Sequence, residues 1–171
     1  FDKLIVSQES SIYMDPYREK VFFNSPQSYL TDYPKHIKAI KRVLMESKVF
    51  IFSLGSNECW ELPDKTVISQ NPKSGFHQLV NHKVLTVGEN VENIVNFFNT
   101  VKVRNPEFKL ILALSPDPLI ATARSGSHHI IEANTHSKSI LRVAIDQVVS
   151  DFEDIYYLPS YELITECIES P

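Results

Sequence analysis

The 171-residue sequence predicts an α/β fold in which a parallel sheet is flanked by helices in three layers. Three observations carry that prediction. Short apolar runs rich in β-branched and aromatic residues, at Val49 to Leu54, Lys109 to Leu114 and Asp154 to Leu158, alternate with amphipathic helical stretches. Each run stops at a polar turn: Gly55-Ser56-Asn57, Ser115-Pro116-Asp117-Pro118 and Pro159-Ser160. Right-handed crossovers between parallel strands put the three turns on one rim, the edge where open α/β sheets collect ligands and catalytic groups.

From Phe1 to Thr31 there is no sustained periodicity, and Pro16, Pro26 and scattered serines indicate an extended segment with short strands at most, for instance Val21 to Phe23. A helix is expected from Asp32, which suits a cap, with Pro34 in its first turn and Ile37, Ile40, Val43 and Leu44 at helical spacing. Lys35, Lys38, Lys41 and Arg42 fall on its other side, as a solvated face or a basic binding patch. Beyond Trp60, the stretch with Pro63, Pro72 and Gly75 contains β-prone runs at Thr66 to Ser69 and Lys83 to Val87. A connection of that length predicts a hairpin or lid insertion around residues 61–88 rather than a domain boundary, so the chain reads as a single domain, 1–171.

A second helix is expected over Glu89 to Arg104, where Val91, Ile94, Val95, Phe98 and Val101 form a stripe that Asn105-Pro106 ends. Past a flexible loop at Arg124 to His129, a third helix is expected from Ile131 to Ser150, with Ala133, Ser137, Ile140, Leu141, Ala144 and Val148 inward. Tyr161 to Ser170 reads as the start of a fourth helix.

With 43% hydrophobic and 22% charged residues the composition is that of an ordinary globular protein. A net charge of −4 offers no footprint for nucleic acid or an anionic membrane face, so no nucleic-acid partner is expected. No apolar run approaches the roughly 18 residues of a membrane span, and no basic-then-apolar leader opens the sequence. No membrane insertion and a cytoplasmic location are the expectations. Cys59 and Cys167 lie outside any C-x-x-C or Cys/His ligand pattern and read as reduced thiols. His128-His129 lacks a carboxylate or cysteine partner at ligand spacing, and neither metal nor cofactor is expected.

Several rim residues carry two readings. Ser56, Ser115 and Ser160 are hydroxyls at strand ends, and His128, His129 and His136 are the nearest histidines; they are an independent dyad or structural turn residues. Asn134, Lys138 and Arg142 share one side of the third helix, where Asn134 and Lys138 either hold an anionic or sugar-like substrate or form a cap and a salt-bridged flank. Asp117 binds substrate or caps its proline turn. Trp60, Tyr156, Tyr157 and Tyr161 stack on a sugar or pack beside strands.

Gly55-Ser56-Asn57 resembles the Gly-x-Asn block of SGNH hydrolases. The resemblance implies that Asn57 donates its side-chain amide to the oxyanion of an acyl-transfer intermediate, with Gly55 and Ser56 shaping the turn. A preorganised donor of this kind contributes about 10²–10³ in rate. Three further stretches are similar to successive strings of the bacterial GSCFA family, within the SGNH-hydrolase-like group. They are Ser115-Pro116-Asp117-Pro118-Leu119-Ile120-Ala121-Thr122, then Ala133-Asn134-Thr135-His136-Ser137-Lys138-Ser139-Ile140-Leu141-Arg142, then Pro159-Ser160-Tyr161-Glu162. The similarity runs from about Phe50 to Glu162.

The resemblance implies a flavodoxin-like, three-layer fold and a small-molecule or glycan ester substrate carrying O-acyl groups, those of a carbohydrate. Ser115, Asp117, Asn134, Lys138 and Ser160 are the substrate-binding candidates. The family's Gly-Ser-Cys-Phe-Ala string, with its nucleophilic serine, and its Asp-x-x-His-like block are not in the sequence. Together with Phe1 in place of Met, this implies an incomplete domain cut from a longer chain, with missing flanks or a partner chain completing the sheet and supplying nucleophile and base. A non-catalytic binding or scaffold domain is the alternative.

Overall fold

The structure is a computed structural model that describes residues 5–6, 12–15, 17–18, 21–68, 80–124 and 129–165. Cys167, His128, Ser69, Pro72, Gly75 and the expected end of the fourth helix lie outside the described residues. The chain forms two units, Phe1–Arg42 with Cys59–Lys83 and Val43–Glu58 with Val84–Pro171.

In the first unit, β1 (Ile5–Val6), β2 (Tyr13–Met14) and β3 (Phe22–Phe23) make an antiparallel sheet in that order. Helix α1 (Pro26–Glu46) starts at Pro26, earlier than the expected Asp32. The physical reason is a cap further upstream. Ser25 Oγ accepts from Ser28 N at 3.2 Å, and Pro26 sits in the first turn, where a missing N–H costs little. Pro34 consequently lies inside the helix, and Asp32 pairs with Arg18 at 2.7 Å instead of capping. Lys35, Lys38, Lys41 and Arg42 are exposed.

Strand β4 (Val49–Leu54) is followed by β5 (Glu58–Glu61), β6 (Val67–Ile68) and β7 (Asn81–Val84), which form a small sheet in the order β6-β5-β7. This sheet is the insertion expected around 61–88. Met14, Ile68 and Val80 are its buried centre, with Trp60 and Leu62 against them.

The second unit holds α2 (Val87–Lys102), β8 (Lys109–Leu114), α3 (Ile130–Asp151), β9 (Ile155–Leu158) and α4 (Ser160–Thr165). Helix α2 starts at Val87 because Thr86 and Glu89 close a reciprocal capping box. The sheet order is β4-β8-β9 and both pairings are parallel, with Phe50 beside Leu110 and Leu112 beside Tyr157. This is the parallel α/β sheet with flanking helices that the alternating pattern predicts.

Side chains alternate across a strand, so Leu110, Leu112 and Leu114 share one face, at 0%, 0% and 1% exposure. Ile94, Phe98 and Val101 of α2 and Leu141, Ile145 and Val148 of α3 pack onto that face. Burying each leucine contributes roughly 1.5–3 kcal/mol. Leu44, Met45 and Tyr161 join the same core. Val49 and Ile51, on the opposite face, remain 51% and 61% exposed. No helix among the described residues is long and apolar enough to cross a membrane.

Candidate functional site

All three turns follow carboxyl ends of parallel strands; side chains of α3 reach the first two, and Ser160 of the third reaches back to the end of β8. At the end of β4, Gly55 and Ser56 are exposed and Asn57 is fully buried. A Cβ built at Gly55 meets nothing within 4 Å, so steric room does not require glycine there. Ser56 Oγ accepts from Glu58 N at 3.0 Å and closes the turn. Asn57 N donates to Ser137 Oγ at 2.9 Å, and Asn57 O accepts from Leu85 N at 2.7 Å. Its side chain is held at both ends: Nδ2 donates to Leu85 O at 2.9 Å, and Oδ1 accepts from an Arg124 terminal nitrogen at 3.3 Å.

The second turn is tied to the first. Ser115 N donates to Leu54 O at 2.9 Å, and Ser115 Oγ accepts from Asp117 N at 3.2 Å. Lys138, 3% exposed, donates from Nζ to Gly55 O at 3.0 Å and to Ser115 O at 2.8 Å. Burial pushes its pKa below the ordinary lysine range, with Asp117 acting in the opposite sense. Asn134 Oδ1 accepts from Leu119 N at 2.9 Å. At the third turn Ser160 Oγ donates to Leu114 O at 2.8 Å.

Asn57, Ser115, Asn134, Lys138 and Ser160 therefore all lie at the rim. Helix spacing explains the α3 contribution, because Asn134, Ser137 and Lys138 stand three and four residues apart on one face. Ser137 Oγ and Lys138 Nζ are engaged with the turns themselves, and Asn134 Oδ1 with Leu119 beside the second. Asp117 is exposed beside Ser115.

Arg142 leaves the rim and donates from Nε to Glu162 Oε1 at 3.1 Å, with its guanidinium 4.3 Å from the Tyr157 ring centroid. Tyr157 OH donates to Glu162 Oε2 at 2.6 Å. Burial and that carboxylate raise the Tyr157 pKa. Tyr161 packs against the core, and Tyr156 is 42% exposed.

One cluster was not singled out by sequence reasoning. Glu58 accepts from Arg124 Nε at 3.0 Å, Thr122 Oγ1 at 2.8 Å and Ala123 N at 3.3 Å. Arg124 also reaches His136 Nδ1 at 2.9 Å. Arginine only donates, so Nδ1 is the acceptor and the neutral ring carries its proton on Nε2. In this arrangement Nε2 offers a donor, the reverse of a general base. The hydroxyls of Ser56, Ser115 and Ser160 bond to backbone or to Asp117, and none of the three meets a histidine among the described residues. Those residues likewise bring together no group of three or more His, Cys, Asp or Glu able to hold a metal ion.

Fold and rim together define a parallel-sheet α/β protein whose first two strand-end turns are cross-linked by side chains of α3. The chain belongs to the GSCFA family, whose sequence model matches residues 2–170, beyond the stretch in which the shared strings occur. Comparison with curated proteins and with solved structures finds no match. The strings that carry the family likeness coincide with the cross-links. Asn134, Ser137 and Lys138 hold the turns, Thr122 binds Glu58, and Arg142 joins Glu162.

Proposed function

We propose that this GSCFA protein serves SGNH-type ester chemistry, as a hydrolase or acyl transferase on O-acyl groups of a carbohydrate. Asn57 is the oxyanion donor, and nucleophile and base come from outside these 171 residues. One observation carries the reading. The Asn57 carboxamide stands at the carboxyl end of β4 with Oδ1 and one Nδ2–H fixed, which leaves the second N–H as a donor of set direction. Strands β4 and β9 are the edges of the parallel sheet among the described residues, so added strands from flanks or a partner chain have a place to pair.

A specific observation favours a second reading, a non-catalytic SGNH-like domain that holds a glycan or protein partner. Asn57 is 0% exposed, and Asn134, Ser137, Lys138 and Ser160 are committed to the turns. Hydrolysis of p-nitrophenyl acetate separates the two. The 171-residue chain and the longest reading frame containing it are assayed, with Asn57→Ala as control. Activity in the longer protein that falls about 10²–10³-fold in Asn57→Ala supports the ester reading. Activity in neither protein supports the binding domain.

A further inference from the structure

An amide donor stabilises developing charge only if its plane is held. The two ends of a carboxamide are similar in size, and a flip presents an acceptor where a donor is needed. Backbone contacts to Ser137 and Leu85 fix the main chain of Asn57 and leave its side chain undetermined. Two side-chain contacts of opposite type settle the orientation. Leu85 O can only accept and faces Nδ2 at 2.9 Å, whereas Arg124 can only donate and faces Oδ1 at 3.3 Å.

On the reading of Asn57 as oxyanion donor, we infer that Arg124 is the positioning residue that orients its carboxamide, with Glu58 and His136 setting Arg124 in turn. Glu58 follows Asn57 directly in sequence and binds Arg124 Nε at 3.0 Å, so the turn that presents the amide also anchors the group that orients it. The terminal nitrogen of Arg124 that reaches Asn57 Oδ1 also donates to His136 Nδ1 at 2.9 Å. A cation on Oδ1 draws electron density from the amide, which makes the remaining Nδ2–H a stronger donor. Neither Arg124 nor Glu58 needs to touch substrate for this role.

The test reads the side-chain amide of Asn57 by ¹⁵N–¹H NMR on the 171-residue chain, its resonances assigned by their loss in Asn57→Asp. In Arg124→Met the Asn57 pair is expected to shift and to exchange with solvent about tenfold faster, the loss of one charge-assisted hydrogen bond. Arg124→Lys, which keeps a donor, is expected to restore part of the protection. Because Arg124→Met leaves a buried carboxylate behind, Glu58→Gln/Arg124→Met is measured as well, with the backbone amides of Ser137 and Leu112 reporting an intact fold. Unchanged Asn57 resonances and exchange in both variants would overturn the inference whatever the activity.

The second arm uses the longer, active protein. There Arg124→Met is expected to lower kcat about tenfold with KM within about twofold, and Arg124→Lys to recover part of it. An active protein indifferent to Asn57→Ala would refute the oxyanion reading alone, since the NMR result stands without it.

Discussion

The carboxylate of Glu58 and the guanidinium of Arg124 meet at 3.0 Å with both side chains only 11% exposed. Removing one member of such a pair leaves the other charge in a poor solvent, so the contact constrains more than its own two residues. Glu58 also holds the hydroxyl of Thr122 and the backbone of Ala123. Residues 122–124 of the loop after β8 are thereby pinned to the turn after β4, where Arg124 also meets the Asn57 amide.

Glu58→Gln is expected to destabilise the protein by about 2–3 kcal/mol, read as a lower urea midpoint at unchanged slope. Glutamine still accepts from Thr122, so most of the loss comes from Arg124 left without a counter-charge. Glu58→Gln/Arg124→Met should therefore be less destabilised than the sum of its single variants. A strictly additive double variant would show that the two residues do not act as a pair.

Lys138 makes an alkaline prediction. Its native pKa lies below the ordinary value of 10.5 because burial disfavours the cation, yet the neutral amine keeps two N–H groups for the carbonyls of Gly55 and Ser115. Between the lowered native pKa and 10.5 the unfolded chain binds more protons than the native one, so stability rises with pH across that window. The advantage of the wild type over Lys138→Met should be about 1–3 kcal/mol at neutral pH. It should grow through the window and level off above 10.5. Urea denaturation at stepped pH measures it, and an advantage that shrinks with rising pH would contradict this account.

What could be read in advance follows from what is local. The bounds of β4 and β8 are legible because each is an apolar run of uniform type closed by a polar turn, and burial rewards that pattern wherever it occurs. The rim positions of Asn134 and Lys138 follow from helical spacing on α3. The start of α1 was obscured by Pro34, which imitates a first-turn proline although Ser25-Pro26 supplies the true one. The Arg124–Glu58 contact joins residues 66 apart and depends on how two loops meet, which no periodicity encodes. The same holds for the orientation of Asn57: the turn chemistry announces the residue, and a distant arginine decides which way its amide faces.

Thr86 carries the Thr-x-x-Glu spacing of a capping box, which the expected helix start at Glu89 overlooked. It caps α2 directly after Leu85, the residue that binds both backbone and side chain of Asn57. Thr86→Ala should cost about 1 kcal/mol. Hydrogen exchange at Leu85 and Glu89 should quicken while the centre of β8 stays protected. Uniform acceleration throughout the second unit would mean that the cap acts on global stability alone.

Glu162 gives the opposite pH dependence from Lys138. Burial tends to raise its pKa, but hydrogen bonds from Tyr157, from its own backbone and from Arg142 outweigh that tendency and hold it below the ordinary 4.5. A carboxylate with a depressed native pKa stabilises fully above the unfolded value, and its contribution is lost as pH falls through the native one. Glu162→Gln should cost about 1 kcal/mol at neutral pH, the carboxylate being partly solvated, and the gap to the wild type should close in acid. Tyr157→Phe removes the 2.6 Å donor while leaving Arg142, so the Glu162 pKa should move upward, and the acid loss should be smaller and complete at higher pH. A ¹³C titration of the Glu162 carboxyl in both proteins decides the matter, because a pKa indifferent to Tyr157→Phe would place the origin of the depression entirely at Arg142 and the helix backbone.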